Sequence, residues 1–383
     1  MFKLPRAVWL LGWVSLATDA ASEAVYPLLP FFLTTVLGAG AFSLGVIEGA
    51  AEAVNSLLKI LSGRRADKSK AKRPLVLLGY GISSAAKPFI AIVTGPIQVF
   101  IVRILDRLGK GVRGSPRDAM LASWATPQTR GRVYGVHQAM DNLGAVIGPV
   151  LATLFLLASP GHYRTLFALT AIPGAISVLL IFLIPERGGD ADARPKATGV
   201  DTGTEPLPPK FTRFMIILGV FALGNSTDAF LLLRLTDAAG SAKFVPLMWA
   251  GIHVVKTGVS FVSGSWSDRI GRRAVISTGW IVYAIVYAGF AFSSSLTALL
   301  AWFLVYGFYF GFAEGTEKAF VADLAPAARR GTAFGIYNAV TGFGALTASL
   351  VFGLLWTVFG APIAFGAGAL LAFVATALLF VAL

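Results

Sequence analysis

The chain has no cysteine, and only three histidines and five methionines among 383 residues. Disulfides, thiolate metal sites and cysteine nucleophiles are therefore excluded, and a soft-metal site would have few ligands to draw on. Charge is scarce too: 13% of residues are Asp, Glu, Lys or Arg, against about 25% in an ordinary soluble domain. There is no Gly-Lys-Ser/Thr phosphate loop and no soluble segment with a nucleophile beside a base. ATP-driven transport by this chain alone and enzymatic catalysis are both set aside on that ground.

Apolar residues fill the chain instead. They make up 56% of it, and the mean hydropathy is +0.74. A soluble protein of this size needs far more polar surface to cover its core, so the bilayer is the natural solvent. The net charge of +13 invites a nucleic-acid reading. The basic residues flank apolar spans, however, and do not line one soluble face, so no nucleic-acid partner is expected. Residues 7–17, after Lys3 and Arg6, have the look of a signal-peptide core, but apolar character resumes through Tyr26–Gly38. The stretch is long enough to span, and no cleavable leader is expected.

At about 20 residues per span, the pattern predicts spans near 7–37, 42–62, 74–93, 97–123, 130–158 and 163–184. Six more follow near 211–237, 243–265, 272–294, 296–324, 329–358 and 361–383. Between the two sets, 185–210 has no aromatic residue and is rich in Pro, Gly and charge, which reads as a flexible linker. The predicted fold is an all-α membrane protein of twelve transmembrane helices. They form a six-helix bundle over 1–184, the cytoplasmic linker 185–210, and a second bundle over 211–383.

Alternate loops are basic. Residues 63–73 (GRRADKSKAKR) hold six basic residues and 268–273 (DRIGRR) hold three, with Arg130, Arg132, Arg329 and Arg330 marking two more such loops. The intervening loops 38–41, 94–96 and 359–362 carry no charge. This asymmetry predicts that both termini are cytoplasmic, in a multi-pass protein of the inner membrane.

The two halves repeat each other. At a shift of 201, Ser62, Gly63 and Asp67 fall on Ser263, Gly264 and Asp268. After one extra residue in the first copy the shift becomes 200, and Arg73, Gly79, Gly111, Arg130, Gly131 and Gly144 meet Arg273, Gly279, Gly311, Arg330, Gly331 and Gly344. Parallel six-helix repeats, related by a pseudo-two-fold axis along the membrane normal, suit rocking of one half against the other around a midplane site.

Residues 264–273 (GSWSDRIGRR) resemble the loop signature of the major facilitator superfamily, with 63–73 as a variant copy in which Lys68 replaces Arg and Lys70 stands where Gly is expected. The resemblance covers the whole chain in helix count, linker position and repeat. It implies the two-bundle fold and alternating access, with a gating role for the loop. Gating candidates are Gly63, Asp67, Lys68, Gly264, Asp268, Arg269 and Arg272, where an acid beside clustered cations near helix ends can pair across to another helix. Arg117-Asp118 becomes Glu317-Lys318 one repeat later, a charge reversal that suggests salt bridges between the halves and adds these four to the gating set.

Ionisable residues at membrane depth are costly and mark function by default. Candidates for substrate or proton binding are Asp19, Glu23 and Tyr26 in the first span, Glu48 and Glu52 in the second, and Arg103, Asp106 and Arg107 in the fourth. His137 and Asp141 in the fifth span, Asp228 and Arg234 in the seventh, His253 and Lys256 in the eighth and Glu314 in the tenth complete the set. Such charges can also serve only to pair with one another and hold helices together. Asp19 and Glu23 lead as proton or cation carriers, since a carboxyl removed from water exchanges protons closer to neutral pH.

The fourth span reads RILDRLGKGVRGSPRD over 103–118, with Arg103, Arg107, Lys110 and Arg117 close to one helical face. Arg107 and Gly111 resemble the fourth-helix signature of proton-coupled superfamily members. Residues 144–149 (GAVIGP) resemble an antiporter signature, although Ala152 and Thr153 stand where that motif continues with glycines. A glycine packing face with a proline bend accounts for the same residues.

These readings converge on a secondary transporter of a small charged or polar solute, coupled to protons and exporting, acting as a monomer without cofactor or metal. An uptake symporter for an organic anion or zwitterion is the alternative suggested by the basic fourth span. A receptor or assembly partner that keeps the fold without transport is the alternative of another class.

Overall fold

A computed structural model describes residues 4–68, 72–124, 130–185, 207–326 and 330–383. All regular structure among them is helical, in twelve segments that follow the predicted spans closely. These are α1 (6–36), α2 (Ala41–Lys68), α3 (Arg73–Ile92), α4 (Pro96–Ser123), α5 (Arg130–Ala158) and α6 (Tyr163–Phe182). In the second half they are α7 (Pro209–Ala239), α8 (Val245–Ile270), α9 (Arg272–Phe292), α10 (Leu296–Leu324), α11 (Arg330–Phe359) and α12 (Ala361–Ala382). In hydrocarbon no water can satisfy a free backbone amide, so uninterrupted helix is the form these apolar runs must take. Within the described residues, eight helices are long and apolar enough to cross a membrane by length and composition. The other four, α1, α2, α4 and α8, carry charged residues along their lengths.

Large apolar side chains are exposed in both units, Phe292 at 90% and Val381 at 87% among them. In water such a surface would aggregate; in lipid it is the expected boundary.

Four helices depart from regular geometry; in α6 a turn at Thr170 separates Tyr163–Leu169 from Ala171–Phe182. In α1, Pro27 and Pro30 remove backbone donors, and the helix passes through a 3-10 turn at Tyr26–Leu28 and a π turn at Phe32–Val36. In α3, Pro88 turns the last stretch, Lys87–Ile92, into a 3-10 helix. In α7 the first half ends at Gly224 and the second restarts at Ala229.

The chain divides into two compact units. Unit 1 comprises Met1–Ala39, Ala50–Ala193 and Ser241–Ala250; unit 2 comprises Gly40–Gly49, Arg194–Gly240 and Gly251–Leu383. Unit 1 has an aliphatic core in which Val8, Leu11 and Val14 of α1 meet Val76 and Tyr80 of α3, Leu121 of α4 and Ile181 of α6. The core of unit 2 is aromatic. Phe221 stacks on Trp280 with ring centroids 4.4 Å apart, and Tyr283 stacks on Tyr287 at 4.1 Å.

Glycine sets the closest approaches in unit 1. A Cβ on Gly79 of α3 would lie 2.6 Å from the Gly109 carbonyl of α4, and one on Gly109 would lie 2.5 Å from the Gly79 carbonyl. Only glycine on both sides permits that backbone contact. It brings the polar side chains of α3 and α4 within bonding distance of each other.

Candidate functional site

The charged residues of unit 1 gather along α1, α3, α4 and α5. Asp106 lies at the centre of the α3–α4 seam, 5% exposed. It accepts a hydrogen bond from Ser83 and pairs with Lys87 at 3.5 Å and Arg103 at 3.4 Å. Lys87 also donates to Ser83 at 3.1 Å. A buried carboxylate flanked by two cations is compensated by charge, and the triad as a whole keeps one positive charge in a low-dielectric setting.

Beside the triad lies a small cavity of about 20 Å³, room for roughly one water. Glu23 and Tyr26 of α1, Lys87 of α3 and Arg103, Asp106 and Arg107 of α4 line it. Five of these six are predicted site residues, brought together by three helices far apart in sequence; Lys87 is the addition. The Arg103 guanidinium lies over the Tyr26 ring at 5.6 Å. Arg107 faces the cavity with a buried Nε that no hydrogen-bond acceptor among the described residues reaches. Glu23 accepts a 2.7 Å bond from the Trp249 indole, whose ring also meets Tyr26 at 5.2 Å.

A second cluster joins α1 to α5. The carboxyls of Asp19 and Asp141 face each other, and Ser15 donates to Asp141. Two ionised carboxyls in such proximity would repel, so the pair is suited to sharing one proton. Lys110 faces Asp19, while Arg117 and His137 face Asp141. His137 is buried, and its Nε2 has no hydrogen-bond partner among the described residues. The helices meet this closely because Gly144 and Gly148 of α5 leave no room for a Cβ against the Leu16 and Ala20 carbonyls of α1. The GAVIGP segment thus acts here as a packing face. Glu52 of α2 accepts from Asn55 at 3.0 Å and faces Arg107, Lys59 and Lys110.

The remaining binding candidates belong to unit 2. Glu48 is buried in the segment that packs with this unit. Asp228 begins the second half of α7 and accepts from Tyr306 at 2.7 Å. Arg234 donates to the Ser293 carbonyl at 3.1 Å. Lys256 pairs with Glu314 at 3.2 Å, and Lys318 reaches the same carboxylate at 3.4 Å. The His253 carbonyl accepts from Thr257 one turn on.

Among the gating candidates, the side chains of Gly63, Asp67, Lys68, Gly264 and Asp268 lie outside the described residues. In the second loop, Arg272 bridges to Asp323 of α10 at 3.2 Å and donates to Ser267 at 2.5 Å, while Arg269 is exposed. Arg117 pairs with its neighbour Asp118 at 3.0 Å, Lys318 with Glu314, and Glu317 takes hydrogen bonds from Trp280 and Tyr337. Each of these four finds its described partners within its own unit.

Residues outside the predicted set are the neutral partners: Ser15, Ser83, Trp249, Trp280, Tyr306 and Tyr337, together with Lys87 and Asp323. The repeat carries a signal for some of them. At the shift of 200, Ser83, Lys87 and Asp106 fall on Tyr283, Tyr287 and Tyr306. The seam that is ionic in unit 1 is phenolic in unit 2.

Twelve helical segments with exposed apolar side chains and buried ionisable clusters define a polytopic membrane transporter fold. Residues 10–255 and 215–383 match the Major Facilitator Superfamily, and the chain belongs to that family. It is 31% identical over 385 residues to an MFS-type transporter of Methanocaldococcus jannaschii, covering 97% of this chain and 96% of the relative. It is 26% identical over 331 residues to the multidrug resistance protein MdtH of Cronobacter sakazakii, covering 84% and 79%. Among solved structures, the nucleoside transporter NupG superposes with a TM-score of 0.75 at 16% identity over 98% of both chains. A POT family transporter in complex with 5-aminolevulinic acid gives 0.80 at 13% identity over 99% and 95%. At these identities the structural matches establish the two-bundle fold. The chain is a multi-pass membrane transporter and not an enzyme.

Proposed function

We propose that this transporter is a proton-coupled secondary carrier that exports a small charged or polar solute by alternating access, as a monomer in the inner membrane with both termini cytoplasmic. The observation that carries the coupling is the Asp19–Asp141 pair, two carboxyls that face each other between α1 and α5, where one proton can be shared, with Lys110, Arg117 and His137 around them. Loss of that proton leaves two like charges in contact, so proton occupancy and the α1–α5 packing depend on each other. The bundles divide as 1–184 and 211–383, joined by 185–210. Export is supported by the similarity to MdtH, and cytoplasmic termini by the basic loops.

The cavity beside Asp106 supports the alternative of uptake of an organic anion or zwitterion. Its lining carries three cations, Lys87, Arg103 and Arg107, against two acids, Glu23 and Asp106. One experiment separates the readings. Full-length protein in proteoliposomes is given an imposed pH gradient and panels of cationic, anionic and zwitterionic solutes. Export coupling moves solute against the proton flux, uptake coupling moves it with the flux, and solute movement indifferent to the gradient overturns proton coupling altogether. No solute movement under any condition would leave the receptor or assembly-partner reading.

A further inference from the structure

Laying α9–α11 on α3–α5 by the 200-residue repeat sets Trp280 on Tyr80, Glu317 on Arg117 and Tyr337 on His137. The trio is built twice with its charge reversed. In unit 1 the centre is a cation: Arg117 lies beside Tyr80, Asp118 and Asp141, and His137 faces it. In unit 2 the centre is the carboxyl of Glu317, 6% exposed. The Trp280 indole of α9 donates to Oε1 at 2.8 Å, and the Tyr337 hydroxyl of α11 donates to Oε2 at 3.1 Å.

Both donors are neutral, and among the described residues no cation forms an ion pair with Glu317. The charged groups nearest it on its own helix, Lys318 and Glu314, are engaged with each other at 3.4 Å. Lys256 of α8 is bridged to Glu314 at 3.2 Å, and Arg272 of α9 to Asp323 at 3.2 Å. α7 presents Phe221, stacked on Trp280, and α10 adds the Tyr309 phenol.

This set of partners serves a carboxyl in either protonation state. The indole can only donate, and it donates equally well to a carboxylate oxygen or to the carbonyl oxygen of a neutral acid. The Tyr337 hydroxyl donates to a carboxylate; when Oε2 carries a proton, the hydroxyl rotates and accepts it. No ion pair is broken in the exchange. Asp106 contrasts with this, since a proton there would strand Lys87 and Arg103 without their counter-charge.

We propose that Glu317 is a proton-binding site in unit 2, taking one proton from water onto Oε2 and releasing it again as the transporter cycles. Its use in coupling rests on the proton-driven reading given above, but the site itself stands on the Trp280–Glu317–Tyr337 geometry.

Trp280 reports on the site directly. Intrinsic fluorescence of the full chain in nanodiscs is titrated across about pH 5–9, the range open to a carboxyl removed from water. The difference between wild type and Trp280→Phe isolates the Trp280 signal. A single-proton transition in that signal is expected, absent from Glu317→Gln, shifted in midpoint by Tyr337→Phe, and retained in Asp19→Asn. Should Trp280→Phe fail to fold, the infrared difference spectrum between high and low pH gives the same reading, with a protonated-carboxyl band that Glu317→Gln removes. A Trp280 signal flat across the range, a transition that survives Glu317→Gln, or a carboxyl band unchanged in that variant overturns the proposal. Persistence of the transition in Asp19→Asn separates this site from the Asp19–Asp141 pair, so either can fail alone.

Discussion

Lys87 and Asp106 form an ion pair of 3.5 Å between α3 and α4 with side chains 5% and 6% exposed, while their repeat partners in unit 2 are the tyrosines Tyr287 and Tyr306. The same helix seam is thus held by charge in one half and by tilted and edge-on phenol contacts in the other. Tyr306 turns its hydroxyl to Asp228 at 2.7 Å, and Tyr287 turns its own to Ser226 at 3.2 Å. A buried ion is costly once its partner is gone, whereas a phenol carries no charge to strand.

Lys87→Ala removes one of the two cations on Asp106 and the donor to Ser83, and should destabilise the protein by about 1.5–3 kcal/mol, the weight of hydrogen bonds to charged groups. Tyr287→Phe, which removes one neutral hydrogen bond, should cost about 0.5–1.5 kcal/mol. Unfolding in detergent measured for both variants checks the order. A Lys87→Ala protein as stable as Tyr287→Phe would show that Arg103 alone balances Asp106.

Gly148 faces the Ala20 backbone with no space for a side chain, whereas nothing lies within 4 Å of a Cβ on Gly81. Gly148→Leu should force α5 off α1 and lose at least about 1–3 kcal/mol, the usual cost of overpacking, along with transport. Gly81→Ala should retain both. Thermal stability and solute flux of the two variants decide whether GAVIGP is a packing face.

Among the described residues, the Arg107 Nε beside the cavity of α1, α3 and α4 has no partner. If that cavity receives an acidic group of the solute, Arg107→Gln should raise the KM for anionic and zwitterionic solutes by about 10–100-fold, the weight of a charge-assisted hydrogen bond. KM for cationic solutes should stay the same or fall. A uniform change across solute classes would place Arg107 in the scaffold.

The helices were legible because lipid leaves an apolar run of this length one backbone form, and because the turns fall at glycines such as Gly271, whose φ of 92° a side chain would resist. Charge at membrane depth drew attention to Asp19, Asp141 and Asp106, which the structure places in clusters of charged side chains. What stayed hidden was the pairing. The 121 positions between Asp19 and Asp141 carry no sign that two carboxyls will meet, since that depends on Gly144 and Gly148 drawing α5 onto α1. Neutral partners were hidden for another reason. Trp280 and Tyr337 look like ordinary apolar-face aromatics until the repeat sets them around Glu317, opposite Tyr80 and His137 around Arg117. The gating loop was read from Asp268, while the described bridge at that end of unit 2 is Arg272–Asp323, one partner of which lies outside the motif.

The most direct test of proton coupling through the carboxyl pair is solute-dependent proton movement, read with a pH-sensitive dye inside proteoliposomes, for wild type, Asp19→Asn and Asp141→Asn. The account predicts proton flux in the wild type only when a transported solute is added. It predicts loss of that flux in both variants, with solute counterflow retained because neither substitution removes the cavity beside Asp106. Proton flux that persists undiminished in both variants would contradict it.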